Sequence, residues 1–216
     1  MSGKKEIALE TRASEEARLF SPSAARNREA IRDAFLTHMP QEGTIVEVGS
    51  GTGEHVVCLA AATPQILWRP GDPDAASRTS IAAWTAHLGL PNIAAPHAAD
   101  VTEPDWSEVF DAADGVVSIN MIHIAPFEAA KGLIAGAGTL LKSGGRLFLY
   151  GPFSRNGVHT APSNAEFDAS LKARDPAWGV RDLELDILPL ARRAGFSPVA
   201  IIDMPANNLS VMFERG

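Results

Sequence analysis

Apolar strand patterns and helix patterns alternate along most of this 216-residue chain. Short β-branched runs, such as GTIVEV at 43–48 and DGVVSIN at 114–120, are followed by stretches whose apolar residues recur at helical spacing. Alternation of this kind predicts a parallel sheet whose right-handed crossovers place helices on both of its faces. We therefore expect an α/β fold built around an open sheet.

The pattern predicts five parallel strands separated by helices. The second strand should end near Arg69, because Pro70 has no N–H group to donate to the ladder. The helix that starts at Pro126 should be stopped by Gly144 and Gly145, and Pro189 should kink or shorten the last helix. The predicted strands are 43–48, 65–69, 92–100, 114–120 and 146–151, and the predicted helices are 21–39, 54–63, 73–90, 126–145 and 183–196.

The end of the chain departs from this alternation. The runs SPVAIIDM at 197–204 and NLSVMFER at 208–215 are too close together for a helical crossover, so they should form an antiparallel hairpin. The result is a seven-stranded, mostly parallel sheet in a single domain over 1–216, with an N-terminal helical segment at 1–40. Residues 152–182 read as an insertion, which we interpret as a lid, with a plain surface excursion as the alternative.

Composition narrows the classes of partner. The net charge is −7, and no basic stripe is present, so we expect no long nucleic-acid partner. No apolar run approaches the roughly 20 residues that span a bilayer, and we expect no membrane association.

Cys58 is the single cysteine, and the charged N-terminus lacks the apolar core of a signal peptide, which favours a cytoplasmic location. The histidines show no ligand spacing, so we expect no metal. The pattern does not indicate an oligomeric state.

Three glycines follow the first strand in TIVEVGSGTGEHVV at 44–57. A phosphate-binding P-loop needs a lysine after its glycines, and none is present here. The dinucleotide fingerprint G-x-G-x-x-G would place its third glycine at Glu54, whose carboxylate would repel a pyrophosphate. Glu47, two positions before Gly49, suits a cationic ligand instead.

The string E-V-G-S-G-T-G resembles motif I of the class I S-adenosylmethionine (SAM) methyltransferases. That resemblance implies a Rossmann-like, seven-stranded sheet whose last strand is antiparallel, as the tail of the chain suggests independently. It also implies that Asp72, at the end of the second strand, accepts both ribose hydroxyls, and that Asp100, at the end of the third, accepts from the adenine amino group. Asp74 is a rival to Asp72, although it looks like a first-turn residue of the next helix.

The second half of the chain narrows the resemblance. The strings YGPF, DPAWGVRDLE and MPANNL, together with the N-terminal SAARNREAI, are similar to the methyltransferase-like family catalogued as domain of unknown function 938. The resemblance covers nearly the whole chain and implies SAM as the cofactor, without implying a methyl acceptor. The residues expected to bind the cofactor are Glu47, Gly49, Ser50, Gly51, Thr52, Gly53, Asp72, Asp100, Val101, Asn120 and Met121.

Catalytic and acceptor-binding residues are harder to assign. Methyl transfer needs donor and acceptor held in line, and a general base only if the acceptor must lose a proton. His123, after the fourth strand, is the candidate base, with packing against the cofactor or capping of the next helix as the alternative. The candidate acceptor-binding residues are Tyr150, Phe153, Asn156, Arg174 and Trp178.

We therefore expect a SAM-dependent methyltransferase acting on a small molecule or a protein side chain. A nicotinamide-dependent oxidoreductase and a non-catalytic SAM-binding scaffold are the two alternatives.

Overall fold

The computed structural model describes residues 12–216. The strands are β1 (Ala13–Glu15), β2 (Arg18–Phe20), β3 (Gly43–Val48), β4 (Ile66–Gly71), β5 (Ala113–Ile119), β6 (Leu141–Gly151), β7 (Ser154–Arg155), β8 (Val158–His159), β9 (Phe196–Met204) and β10 (Asn208–Arg215). The α-helices are α1 (Pro22–His38), α2 (Glu54–Ala62), α3 (Ala75–Leu88), α4 (Phe127–Leu140), α5 (Pro162–Arg174) and α6 (Leu188–Arg193).

The central sheet has six strands in the order β4-β3-β5-β6-β10-β9. The first four are parallel, and β10 runs antiparallel between β6 and β9. The predicted α/β class and the C-terminal antiparallel hairpin are therefore confirmed. The carboxyl ends of the parallel strands meet at one edge of the sheet, which is where ligands bind in open α/β folds.

The predicted strand at 92–100 does not form, so the expected count of seven strands is wrong. This segment lies beside β4 and joins it only through isolated bridges from Trp68 to Ile93 and from Gly71 to His97. Three residues separate the bridges on this segment but only two on β4, so the register slips between them. Pro96 lies in that stretch and has no N–H group for a regular ladder.

Strand β4 continues through Pro70, beyond the end that we predicted at Arg69. The Trp68 N–H group donates to the carbonyl of Asn92 (2.8 Å), and the Pro70 carbonyl accepts from the N–H of His97 (2.9 Å). Positions 68 and 70 thus direct their backbone groups away from β3. The missing N–H group of Pro70 consequently costs no hydrogen bond to β3, and β4 pairs with β3 up to Gly71.

Apolar side chains fill both faces of the sheet. One core, beneath α1, α2 and α3, contains Phe35, Ile45 and Trp68. The other, beneath α4 and α6, contains Leu133 and Leu147. Alternation along β3 therefore directs Ile45 and Glu47 to the first face and Val46 and Val48 to the second.

Helix α4 ends at Leu140, earlier than the predicted stop at Gly144 and Gly145, because Leu141 already has extended backbone angles and begins β6. The last α-helix is shortened, as predicted for Pro189: a π-helical turn at Leu183–Ile187 leads into α6, which carries the proline in its first turn and ends at Arg193. No helix within residues 12–216 is both long enough and apolar enough to cross a membrane.

Candidate functional site

The glycine turn lies at the carboxyl edge of the sheet, between β3 and α2. Gly49, Gly51 and Gly53 have φ values of 70°, 57° and 88°, a left-handed region in which a side chain would be strained. The Gly49 N–H group donates to the carbonyl of Gly71 at 3.0 Å, which ties the turn to the end of β4. A methyl group added to Gly49 would lie 2.6 Å from Cγ of Met121. Glycine is therefore required here both by backbone conformation and by close packing.

Asp72 follows β4 and holds the turn from the other side. The Gly51 N–H group donates to Oδ2 of Asp72 at 2.8 Å, and the Asp74 N–H group donates to Oδ1 at 2.9 Å. Burial raises the pKa of Asp72, whereas these N–H groups and the charge of Arg12 act in the opposite direction. Asp74 caps α3 by accepting from the Ser77 N–H group at 2.8 Å. Because the carboxylate of Asp74 already serves as the cap of α3, Asp72 stays the better candidate for binding ribose.

Glu47 is a buried acid directly before the glycines, with 1% of its surface exposed. Its Oε2 atom has no hydrogen-bond partner among the described residues. Burial raises the pKa of Glu47 to about 8 from an ordinary value of 4.5. A carboxylate in this state would be stabilised by a cation brought next to it.

The remaining predicted cofactor residues occupy neighbouring loops. Asp100 accepts from the N–H and hydroxyl groups of Thr102, and Val101 beside it is buried. Asn120 has a left-handed backbone, and its N–H group donates to the carbonyl of Tyr150 at 2.8 Å. Ser50 and Thr52 in the turn are buried. The Ser50 hydroxyl donates to the carbonyl of Glu47, and the Thr52 hydroxyl donates to Glu54.

His123 follows β5 and is completely buried. Its Nδ1 atom accepts from the backbone N–H group of Arg181 at 3.2 Å, and its Nε2 atom has no partner among the described residues. Burial, with a smaller contribution from the charge of Arg181, lowers the pKa of His123 to about 3. Its ring packs edge-on against Phe153 at 4.8 Å. The geometry favours a packing role for His123, and its role as a base stays a prediction.

The predicted acceptor-binding residues do not form one cluster. Tyr150 lies in the core under α1 and α2, and Phe153 lies in the core on the opposite face. Asn156 is exposed in the β7–β8 turn, where its N–H group donates to Glu184. Arg174 ends α5, and Trp178 is half-buried in the loop that follows.

The insertion is anchored at two points, in α5 and near its C-terminal end. The Asn164 side chain, in the first turn of α5, donates to the carbonyl of Asn207 in the β9–β10 turn at 2.8 Å. Beyond α5, the Arg181 guanidinium donates to the carbonyls of Ile122 and Ala125 at 2.9 and 2.6 Å. The insertion therefore extends from the C-terminal hairpin to the loop after β5.

Two further polar groups lie near the site, and of these Arg12 was not predicted. Asn27 of α1 contacts Nε2 of His55 through Oδ1 at 2.8 Å and also bonds to the hydroxyl of Tyr150. Arg12 lies beside Gly51, with Nη2 at 3.6 Å from the position of a Cβ atom there. No local pattern distinguishes these residues from an ordinary solvated face, because only tertiary packing brings them to the site. Within the described part of the chain, no three His, Cys, Asp or Glu side chains group as a metal site would require.

Solved methyltransferases share this fold. The structure superimposes on a putative O-methyltransferase from Nostoc punctiforme with a TM-score of 0.76 at 16% identity, covering 90% of this chain and 57% of the other. An O-methyltransferase family protein from Burkholderia thailandensis gives 0.73 at 17% identity, covering 89% and 60%. CalO1, a methyltransferase of calicheamicin biosynthesis in its SAH-bound form, gives 0.71 at 17% identity, covering 90% and 54%. The chain thus spans under two thirds of each of these proteins, and its fold is the Rossmann-like fold of class I methyltransferases.

Residues 18–215 match the family described as protein of unknown function DUF938. This chain belongs to that family, as the strings in its second half suggested.

Proposed function

We propose that this protein is a SAM-dependent methyltransferase acting on a small molecule or a protein side chain. The observation that carries the proposal is the buried carboxyl of Glu47, two positions before the glycine turn, whose Oε2 atom has no hydrogen-bond partner within residues 12–216. A buried acid in this state matches a cationic ligand, and the solved structures that share the fold include the methyltransferase CalO1 in its SAH-bound form.

The residues present fit SAM, which supplies an activated methyl group with its own leaving group. The glycines at 49, 51 and 53 let the backbone approach a ligand closely, and Glu47 would lie near its ammonium group. Asp72 would accept from the ribose hydroxyls through oxygen atoms that the N–H groups of Gly51 and Asp74 already orient. What these side chains contribute to rate is position and exclusion of water.

The nicotinamide alternative meets an obstacle at the start of α2. Glu54 occupies the third fingerprint position and accepts from the Ser21 N–H group at 2.6 Å and from the Thr52 hydroxyl at 3.1 Å. It therefore joins the start of α1 to α2 and keeps a carboxylate at the position where the dinucleotide fingerprint needs a glycine. Titration of NADH fluorescence with the protein should give no saturable signal.

Calorimetry tests cofactor binding directly. Wild-type protein should bind SAM and S-adenosylhomocysteine, and Asp72→Ala should bind both more weakly by about tenfold or more, because two ribose hydroxyls lose a charged acceptor. The absence of binding by wild type at millimolar ligand would reject the proposal.

Turnover needs a separate experiment. Labelled-methyl SAM, at a concentration below its dissociation constant, should mark one class of acceptor in fractionated cell extract with wild type and mark it several-fold less with Asp72→Ala. Tight SAM binding without transfer to any fraction would favour a non-catalytic scaffold.

A further inference from the structure

Arg12 brings a positive charge to the predicted cofactor site from a part of the chain that carries no motif. We call this site the cradle: it consists of the glycine turn at 49–53 with Glu47, Asp72 and the loops that carry Asp100 and Met121. Its Nη1 atom lies 3.4 Å from the hydroxyl of Ser77 in the first turn of α3. A Cβ atom placed on Gly51 would lie 3.6 Å from Nη2. The charge of the guanidinium also acts on two carboxyls: it opposes the burial that raises the pKa of Asp72, and it adds to the backbone hydrogen bonds that lower the pKa of Asp74. Arg12 therefore lies beside the glycine turn, close enough for its charge to act on the carboxylate that we assign to ribose.

The hairpin of β1 and β2, residues 13–20, fixes the backbone that follows Arg12. The Leu19 N–H group donates to the hydroxyl of Ser80 on α3 at 2.8 Å, and the Leu19 carbonyl accepts from the indole of Trp84 at 2.9 Å. The Ser80 hydroxyl in turn donates to the carbonyl of Thr52 in the glycine turn at 2.7 Å. One buried hydroxyl thus links the hairpin to the turn that it overlies.

Aromatic packing adds to this attachment. The Arg18 guanidinium lies 5.0 Å from the ring of Trp84, within the range of a cation–π contact. The ring of Phe20 meets Trp84 edge-on at 4.9 Å. Hydrogen bonds and aromatic contacts together hold the hairpin on α3, and they fix the backbone next to Arg12, whose side chain lies beside Gly51.

We propose that Arg12 is a cofactor-binding residue that donates hydrogen bonds to the same ribose hydroxyls that Asp72 accepts from. This inference rests on the proposed function and adds a residue to its site. A hydroxyl group both donates and accepts, so a vicinal diol can give its hydrogens to Asp72 and receive N–H groups from Arg12. Each oxygen of Asp72 receives one backbone N–H group, and a carboxylate has room for about four hydrogen bonds in all.

A guanidinium and a carboxylate that both bind the ribose diol would favour ribonucleosides over nucleosides that lack the two hydroxyls. A ligand without the two hydroxyls would lose its hydrogen bonds to both charged groups. The cradle should therefore discriminate adenosine from 2′,3′-dideoxyadenosine, and Arg12 should contribute to that discrimination.

The test uses S-adenosylhomocysteine, adenosine and 2′,3′-dideoxyadenosine as probes, with affinities from calorimetry or competition. Arg12→Ala should weaken the binding of the first two by about tenfold, the size of one charge-assisted hydrogen bond, and leave dideoxyadenosine unchanged. Arg12→Lys should recover part of the loss, since it keeps the charge without the planar fork. Arg192→Ala, which removes an exposed arginine from α6 beneath the other face of the sheet, is the matched control and should change nothing.

Each result is decisive. Equal or tighter binding of S-adenosylhomocysteine by Arg12→Ala would overturn the inference, because Arg12 would then only cover Asp72. The same loss for dideoxyadenosine as for adenosine would also overturn it. Circular dichroism and the urea midpoint of Arg12→Ala serve as the folding check, with Arg12→Lys as the second variant. Failure of wild type itself to bind S-adenosylhomocysteine would remove the proposed function, a result distinct from wild-type binding that is insensitive to Arg12.

Discussion

The backbone N–H group of Arg181 donates to Nδ1 of His123 at 3.2 Å, and the Gly179 N–H group donates to the carbonyl of His123 at 3.0 Å. The end of the insertion therefore holds the loop after β5 at its buried histidine. Because Nδ1 accepts this bond, the neutral ring carries its proton on Nε2, which lies against Gly151. A base must offer a free lone pair, and in this tautomer His123 offers none.

Replacement of His123 by Asn separates packing from catalysis. The Asn amide oxygen can accept the Arg181 N–H bond in place of Nδ1, while the contact with Phe153 is lost. We expect the free energy of unfolding in urea to fall by about 1–3 kcal/mol and the affinity for S-adenosylhomocysteine to stay unchanged. Once an acceptor is known, loss of methyl transfer by a folded, cofactor-binding His123→Asn protein would restore His123 as the base.

Arg181 should couple the insertion to the loop after β5, which carries the predicted cofactor-binding residue Met121. Its guanidinium donates to the carbonyls of Ile122 and Ala125, next to Met121, which packs on Gly49. Arg181→Met leaves these carbonyls without their donor, so we expect a loss of about 2–3 kcal/mol in unfolding free energy and weaker binding of S-adenosylhomocysteine. Arg181→Lys should recover little, because a lysine lacks the planar fork.

The control for Arg181 is Arg155→Met. Arg155 belongs to the same insertion but pairs with Glu184, away from the loop after β5. Its replacement should leave cofactor affinity unchanged. Equal weakening by both variants would mean that the insertion has only a general effect on stability.

Local sequence patterns were enough to predict the parts of the fold that depend on residues close together in the chain. The β-branched run of β3, the glycines that follow it and the short link between β9 and β10 each specify their structure within a few residues. The acids Glu47 and Asp72 could be placed at the site because strands of a parallel sheet end at one edge.

Features that depend on long-range contacts could not be predicted in this way. The segment at 92–100 has a strand-like composition, yet its register against β4 slips around Pro96. The position of Arg12 depends on the contact of Leu19 with Ser80, 61 residues further along the chain. The hydrogen bond from Arg181 to His123 likewise joins positions 58 residues apart. No helical or strand period encodes such pairs.

Glu47 should make stability fall as pH rises. Its folded pKa of about 8 lies above the ordinary value of 4.5, so the unfolded chain loses this proton first and stability is lost between pH 4.5 and 8. His123, with a folded pKa of about 3, acts oppositely but only between pH 3 and 6.5. From pH 6.5 to 8 we expect Glu47 to lower the free energy of unfolding by about 1.4 kcal/mol per pH unit or less.

Glu47→Gln provides the comparison. The neutral amide does not titrate, so urea unfolding of this variant should lose the Glu47 component of the pH slope between pH 6.5 and 8. The variant should also bind SAM more weakly, because the ammonium group loses its anionic partner. Identical slopes for both proteins would show that Glu47 is already ionised at pH 6.5.

Gly132 on α4 should tolerate no side chain. A Cβ atom there would lie 1.8 Å from the carbonyl oxygen of Val101, beside the predicted adenine-binding Asp100, and Trp106 Nε1 donates to the Gly132 carbonyl at 2.9 Å. Intrinsic propensity alone would make Ala in a helix more stable than Gly by about 1 kcal/mol. Because α4 must move away from the 101–102 loop, we expect the opposite sign, a loss of about 2 kcal/mol or more in urea unfolding.

Gly89→Ala is the matched control for the Gly132→Ala substitution. No atom of residues 12–216 lies within 4 Å of a Cβ atom at Gly89, so its left-handed φ of 60° is what opposes the change, at a cost of about 1–2 kcal/mol. Gly132→Ala should in addition weaken S-adenosylhomocysteine binding, since the displaced loop carries Asp100 and Val101, whereas Gly89→Ala should not. If Gly132→Ala proved as stable as wild type with full affinity, the close contact between α4 and this loop would not constrain the adenine side of the cradle.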